Sequence, residues 1–264
     1  IDTCSNIEIR TCKIKTNLTS NAAVNIGINK ETTSFSINNI SIIDNTITGG
    51  YTGIQLYGAS ALATIGKNIR IDSNTITDAY RNGVYARDYI RFESISNNTI
   101  TSRSNNAGTD FDGLYFYLYS EVDTIKNNKI NTTKSTTTIY ANGIYCYLVN
   151  YYSSTSANLH LINNEIKVRG NNNGIYLYYA RSQVIHNSVY ITGTGNSNGI
   201  YIYNTTSTPV NVMNNNIVNM STGTSATAIY VSNANTPISA DYNNYYSSQG
   251  TPCRVSTPLY NLTS

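Results

Sequence analysis

Charge is scarce in this sequence. Lys, Arg, Asp and Glu make up 12% of the 264 residues, and the formal net charge is only +3. A nucleic-acid footprint needs clustered Lys and Arg, so that class of partner is set aside. No run of 18 apolar residues occurs, which removes a helical membrane span from consideration. Four cysteines (Cys4, Cys12, Cys146 and Cys253) are too few for a disulfide scaffold. Cys4 and Cys12 either pair near the N-terminal end or stay reduced. Proline is rare and confined to the C-terminal end, at Pro209, Pro237, Pro252 and Pro258. Trp is absent and Phe occurs 4 times, so the 24 tyrosines represent a selective use of one aromatic type. The only histidines, His160 and His186, have no Ser, Cys or Asp partner legible in sequence, and both read as structural. Walker loops, dinucleotide fingerprints and zinc spacings are missing. The chain opens on Ile1 without a signal peptide, which reads as a piece of a longer protein.

Asparagine, at 40 residues, does much of the solvating that charge would otherwise do. Its placement is periodic. Asn173–Tyr178 reads Asn-Gly-Ile-Tyr-Leu-Tyr, Asn198–Tyr203 reads Asn-Gly-Ile-Tyr-Ile-Tyr, and Asn142–Tyr147 reads Asn-Gly-Ile-Tyr-Cys-Tyr. Asp112–Tyr117 is a close variant, with weaker copies at Gly53–Tyr57, Gly83–Arg87, Ala228–Ser232 and Ala23–Gly27. The Gly or Ala anchors recur every 25 to 31 residues from position 23 to 228. Self-similarity at such a period marks a solenoid. The Asn-Gly and Asp-Gly pairs read as tight turns with positive φ.

A second repeat, apolar-x-x-Asn-x-apolar, interleaves with the first. It carries Asn45, Asn74, Asn98, Asn128, Asn164, Asn187 and Asn215, and Ile238/Asp241 closes the series. Each unit thus holds short runs of period-2 alternation between turn residues, which predicts strands and no helices. Stacked in parallel at about 4.8 Å per coil, eight anchors make about eight coils. Val24, Ile54, Val84, Leu114, Ile144, Ile175, Ile200 and Ile229 then form one aliphatic column inside the stack. Ile26, Leu56, Ala86, Phe116, Cys146, Leu177, Ile202 and Val231 form another. The repeated asparagines are expected as an amide ladder at one corner, adopting the left-handed backbone that a sharp corner needs. The expected organisation is a single domain over 1–264, with an incomplete first coil at 1–20, regular coils at 21–246 and a C-terminal extension at 247–264.

With these residues the chain resembles the right-handed parallel β-helix repeat domains built into large secreted and surface-attached bacterial proteins. Asp241-Tyr-Asn-Asn-Tyr-Tyr246 resembles a segment recurring in such proteins, among them those exported by type IX secretion. The resemblance implies an extracellular or cell-surface location and a module within a longer chain. Right-handedness follows from the family and from the usual hand of parallel crossovers.

Two features are candidate sites. Between the lumen residues of the Gly-Ile-Tyr strand lie two outward columns, of which Tyr115, Tyr117, Tyr145, Tyr147, Tyr176, Tyr178, Tyr201 and Tyr203 form the centre. They are read either as a ladder that stiffens the sheet or as a contact face. Candidate partners are a flanking domain, another copy of the chain, or a glycan. The second feature is a band of charge at 78–129, holding 13 of the 31 charged residues. Arg81, Arg87, Asp88, Asp110 and Asp112 are its candidate site residues. Paired carboxylates with nearby Arg suit Ca²⁺ and an acidic sugar, or acid–base hydrolysis of a glycan, while mutual ion pairing on a solvated face is the plainer explanation. The Asn-Thr-Asp, Asp-Asp, Gly-His-Gly and Arg-Ile-Lys motifs of β-helix polygalacturonases are absent, as is the Arg-x-Pro-x-x-Arg motif of pectate lyases. The expectation is a structural or adhesive module rather than an enzyme, with no cofactor.

Overall fold

A computed structural model describes residues 5–104, 110–132, 140–151, 158–203, 210–233, 235–249 and 251–255. The described residues wind into a parallel β-solenoid with three sheets of nine strands each. Neighbouring strands in a sheet come from successive coils, and every ladder is parallel, as in Ile144 opposite Ile175 opposite Ile200. The one helical element among the described residues is a 3₁₀ turn at Leu62–Thr64. At the usual spacing between strands, nine of them make a rod of roughly 40 Å. The architecture is the one expected, and the number of coils is close to eight.

One coil shows the rule for all. Leu159–Ile162 lies in the first sheet, Glu165–Arg169 in the second and Asn173–Tyr178 in the third. Inward residues alternate with outward ones on each. Leu161, Ile166, Ile175 and Leu177 are buried, and so are their register partners above and below. A lumen lined this way is a dry aliphatic core, in which each coil covers the apolar surface of the next.

At the corner between the first and second sheets stands the amide ladder. Asn128 is representative. Its Nδ2 donates to the Ile95 carbonyl at 2.9 Å and to Asn164 Oδ1 at 3.0 Å, while its Oδ1 accepts from the backbone N–H and Nδ2 of Asn98. Both amide protons and both lone pairs are used, in a buried site. The left-handed backbone falls one residue earlier than expected. Asp44, Ser73, Asn97, Asn127, Asn163, His186 and Asn214, each preceding a ladder asparagine, have φ between 53° and 58°. The ladder asparagine itself points inward to bond across coils, so its neighbour makes the bend.

The last rung also differs. Val212 pairs with Ala240 and Met213 with Asp241, so Asn243 rather than Asp241 accepts from Asn215, at 2.9 Å. Alanine supplies the apolar position there, a weak signal beside Ile238. At the other end Cys12 occupies the rung, its N–H donating to Asn45 Oδ1 at 2.9 Å. Cys12 is an exposed free thiol, and Cys4 lies outside the described residues.

The glycines of the third sheet do something other than turn. None of Gly53, Gly83, Gly113, Gly143, Gly174 and Gly199 has positive φ. A Cβ added at Gly53 would lie 2.5 Å from Ile76 Cγ2 and 2.7 Å from the Gly83 carbonyl oxygen. Each glycine makes room for a lumen side chain of the second sheet and for the backbone of the next coil, at a glycine in every case but Gly199, which faces Ala228. The same constraint sets the first coil. Gly27, not Ala23, takes the glycine position, where a Cβ would sit 2.7 Å from Ile47 Cγ2. Ile28 pairs with Ile54 and Lys30 with Leu56, and Val24 is 86% exposed instead of lining the lumen. The buried Lys30 ammonium donates to the Thr32 carbonyl.

Candidate functional site

The third sheet presents the tyrosines. Because Leu114, Phe116, Ile144, Cys146, Ile175, Leu177, Ile200 and Ile202 are buried in the lumen, the residues between them face away from it. The register aligns Tyr85, Tyr115, Tyr145, Tyr176, Tyr201 and Tyr230 in one column. It aligns Tyr57, Arg87, Tyr117, Tyr147, Tyr178 and Tyr203 in a second.

The stacking is tightest in the middle. Tyr145 and Tyr176 have ring centroids 4.5 Å apart and planes 3° from parallel, and Tyr176–Tyr201 follows at 4.7 Å and 6°. In the second column Tyr147–Tyr178 and Tyr178–Tyr203 are both at 4.7 Å, with angles of 8° and 6°. Towards the ends the columns loosen: Tyr115–Tyr145 is tilted by 51° and Tyr201–Tyr230 by 74°. The two columns lie 6.4 Å apart at Tyr176–Tyr178. Neighbours therefore cover the ring faces, and the surface consists of ring edges and hydroxyls. All eight central tyrosines are accordingly half-buried. Burial raises the phenol pKa of Tyr115, Tyr145 and Tyr176 well above the ordinary range. At Tyr203 the hydrogen bond to Tyr179 is the main cause of a rise.

A third rank of tyrosines flanks the columns. Tyr89 stacks on Tyr119 at 5.1 Å, and Tyr179 meets Tyr151, Tyr178 and Tyr203 edge-on. These sit in the corner after the strand, where Leu118, Tyr119, Leu148 and Tyr179 have positive φ. Their spacing from the Gly-Ile-Tyr anchor varies between coils, so the repeat gave no sign of them.

The charged band divides into separate clusters. Arg81 lies just before the strand Asn82–Arg87, and its Nη1 is 3.6 Å from both Asp110 and Asp112. Arg87, at the far end of that strand, pairs with Asp88 at 3.1 Å and covers the Tyr57 ring at 4.1 Å. Arg81 and Arg87 are thus roughly 20 Å apart along the strand. Asp112 is buried in a second polar ladder: it accepts from Asn142 at 2.6 Å, Asn142 from Asn173, Asn173 from Asn198, and Asn198 from the Thr227 hydroxyl. Arg70–Glu93 and Arg91–Asp123 pair on the first sheet. The buried Arg103 donates to the carbonyls of Asp78, Ser20, Asn17 and Gly50, tying corners of the first coils together. Ca²⁺ requires six or more oxygen ligands. Asp110 and Asp112 share a guanidinium instead, and among the described residues no three of His, Cys, Asp and Glu meet to hold a metal ion. His160 faces outward on the first sheet and His186 forms a corner.

No helix among the described residues is long and apolar enough to cross a membrane. Comparison with protein-family models, with curated proteins and with solved structures found no match for this chain.

Proposed function

We propose that this chain is an extracellular structural and adhesive module whose tyrosine face is its contact surface. The observation that carries the reading is the pair of continuous tyrosine columns on one sheet of a rigid rod. Tyrosine supplies large contact area at low entropic cost, and its hydroxyl tolerates both water and burial. Carbohydrate stacking needs free ring faces, whereas here the faces are taken by neighbours. A flat protein surface, from a flanking domain or another copy of the chain, is therefore the partner favoured over a glycan. The sparse charge and the resemblance to secreted and surface-attached bacterial β-helix proteins, those of type IX secretion included, support an extracellular setting. The glycan-active alternative gains little from the geometry, because the carboxylates of the charged band are held in ion pairs or in a ladder.

The test is the simultaneous change of Tyr145, Tyr147, Tyr176 and Tyr178 to Ser, with folding followed by circular dichroism. Loss of self-association or adhesion from a folded protein supports the reading. Binding that survives the change, or that is confined to soluble glycans, overturns it. Turnover of pectin, alginate or another uronan, abolished by Asp112→Asn or Arg87→Ala, would establish the enzymatic alternative instead.

A further inference from the structure

The tyrosine columns have a chemical property independent of any partner. An aromatic ring loses an electron more easily than an aliphatic side chain, and phenols that do so next to one another couple. The sequence contains no Trp and 2 Met, so tyrosine is the readily oxidised side chain of the third sheet's outer surface. Cys146, the thiol nearest the columns, is fully buried on the lumen side, and burial pushes its pKa far up. In the middle of the face, rings from successive coils lie within 4.5–4.7 Å and within 8° of parallel.

We propose that the central tyrosines are a site of oxidative cross-linking, in which a peroxidase-type one-electron oxidant with hydrogen peroxide joins successive coils through dityrosine. Each of two tyrosines gives up one electron and its phenolic proton. The two radicals form a carbon–carbon bond between ring positions ortho to the oxygens, and the hydrogen on each joined carbon moves to oxygen to restore the phenol. One hydrogen peroxide takes the two electrons and two protons and leaves as two waters. The backbone already holds the partners in register, so coupling needs no search through the chain. The sites are Tyr145–Tyr176, Tyr176–Tyr201, Tyr147–Tyr178 and Tyr178–Tyr203. The bond ties neighbouring coils covalently, and a rod joined this way resists unwinding coil by coil.

The experiment oxidises dilute folded protein with a haem peroxidase and hydrogen peroxide, and in parallel with a light-driven ruthenium oxidant that needs no docking. Dityrosine fluorescence is measured, and the linked peptides are mapped by mass spectrometry. Links within one chain, concentrated at these four pairs, are expected. Tyr176→Phe, which keeps the stack but lacks the phenol, should abolish both first-column links and leave Tyr147–Tyr178 and Tyr178–Tyr203. Urea-unfolded protein should lose the pair selectivity. Links mainly at exposed Tyr140 or Tyr242, links only between chains, or a Tyr176→Phe map unchanged elsewhere and still showing Tyr145 joined to Tyr201 would overturn the proposal.

Discussion

An asparagine in the corner ladder uses its entire hydrogen-bonding capacity, and no other side chain of that size can. Replacing Asn128 by Leu removes four bonds and leaves the Asn98 N–H in a buried corner without its acceptor. At about 1 kcal/mol per bond, with an added cost for the stranded group, a loss of about 4 kcal/mol is expected. Urea unfolding measures it, and a change under about 1 kcal/mol would show that water replaces the ladder. The tyrosines make a pH-dependent contribution. Tyr115, Tyr145 and Tyr176 hold their protons more tightly in the fold than in the unfolded chain, where the phenol titrates near about 10. Above that pH the folded state therefore binds more protons, so stability is full below about pH 10 and falls as pH rises beyond it. Absorbance titration should show a late-ionising class of tyrosines that disappears in urea. A single transition near the unfolded value would refute the burial.

At the level of the element, what decides the packing of the third sheet is the absence of a side chain. Gly143→Ala places a methyl group against Ile166 Cγ2 and 2.6 Å from the Gly174 carbonyl oxygen. Overpacking of this kind costs about 1–3 kcal/mol, and Ile166→Ala in the same chain should recover only the side-chain part. A double-mutant cycle on unfolding free energies tests this, since strict additivity would mean that the two sites do not touch. Arg103 acts between elements. Its planar fork reaches carbonyls of several corners, and it stands 5.3 Å from the centre of the Tyr80 ring. Arg103→Lys keeps the charge but cannot span these acceptors. Faster hydrogen exchange at Thr48–Thr52 and at the first coil is the expected outcome, with the distant strands Val210–Met213 and Asn216–Asn219 unaffected.

Across the whole molecule, each coil touches mainly the coil before and the coil after, so stability accumulates by neighbour interfaces rather than in one central core. The middle coils have a covered face on both sides, while Ile7–Arg10 and Cys253–Val255 belong to strands with a neighbour on one side only. Amide exchange should accordingly be slowest around Leu114–Ile202 and should quicken towards both ends. Uniform protection along the rod would mean all-or-none unfolding instead.

Much of this was legible in the sequence because a solenoid repeats its own chemistry. The period, the strand alternation, the aliphatic columns and the asparagine ladder all follow from a rule that each coil must satisfy against an identical neighbour. The two tyrosine columns follow by parity from the lumen residues between them. What the repeat could not supply was anything set by contact between different sheets. Gly27 rather than Ala23 opens the first coil because Ile47 of another sheet leaves no room for a methyl group. The left-handed bend falls before the ladder asparagine because that asparagine must face the lumen corner, and Asn243 closes the ladder through the weakly apolar Ala240. The charged band is contiguous in the chain yet divided in space, because a strand carries Arg81 and Arg87 to its opposite ends. Local pattern specifies a coil against its copy; only the closed cross-section decides which side chains from different faces must share the same space.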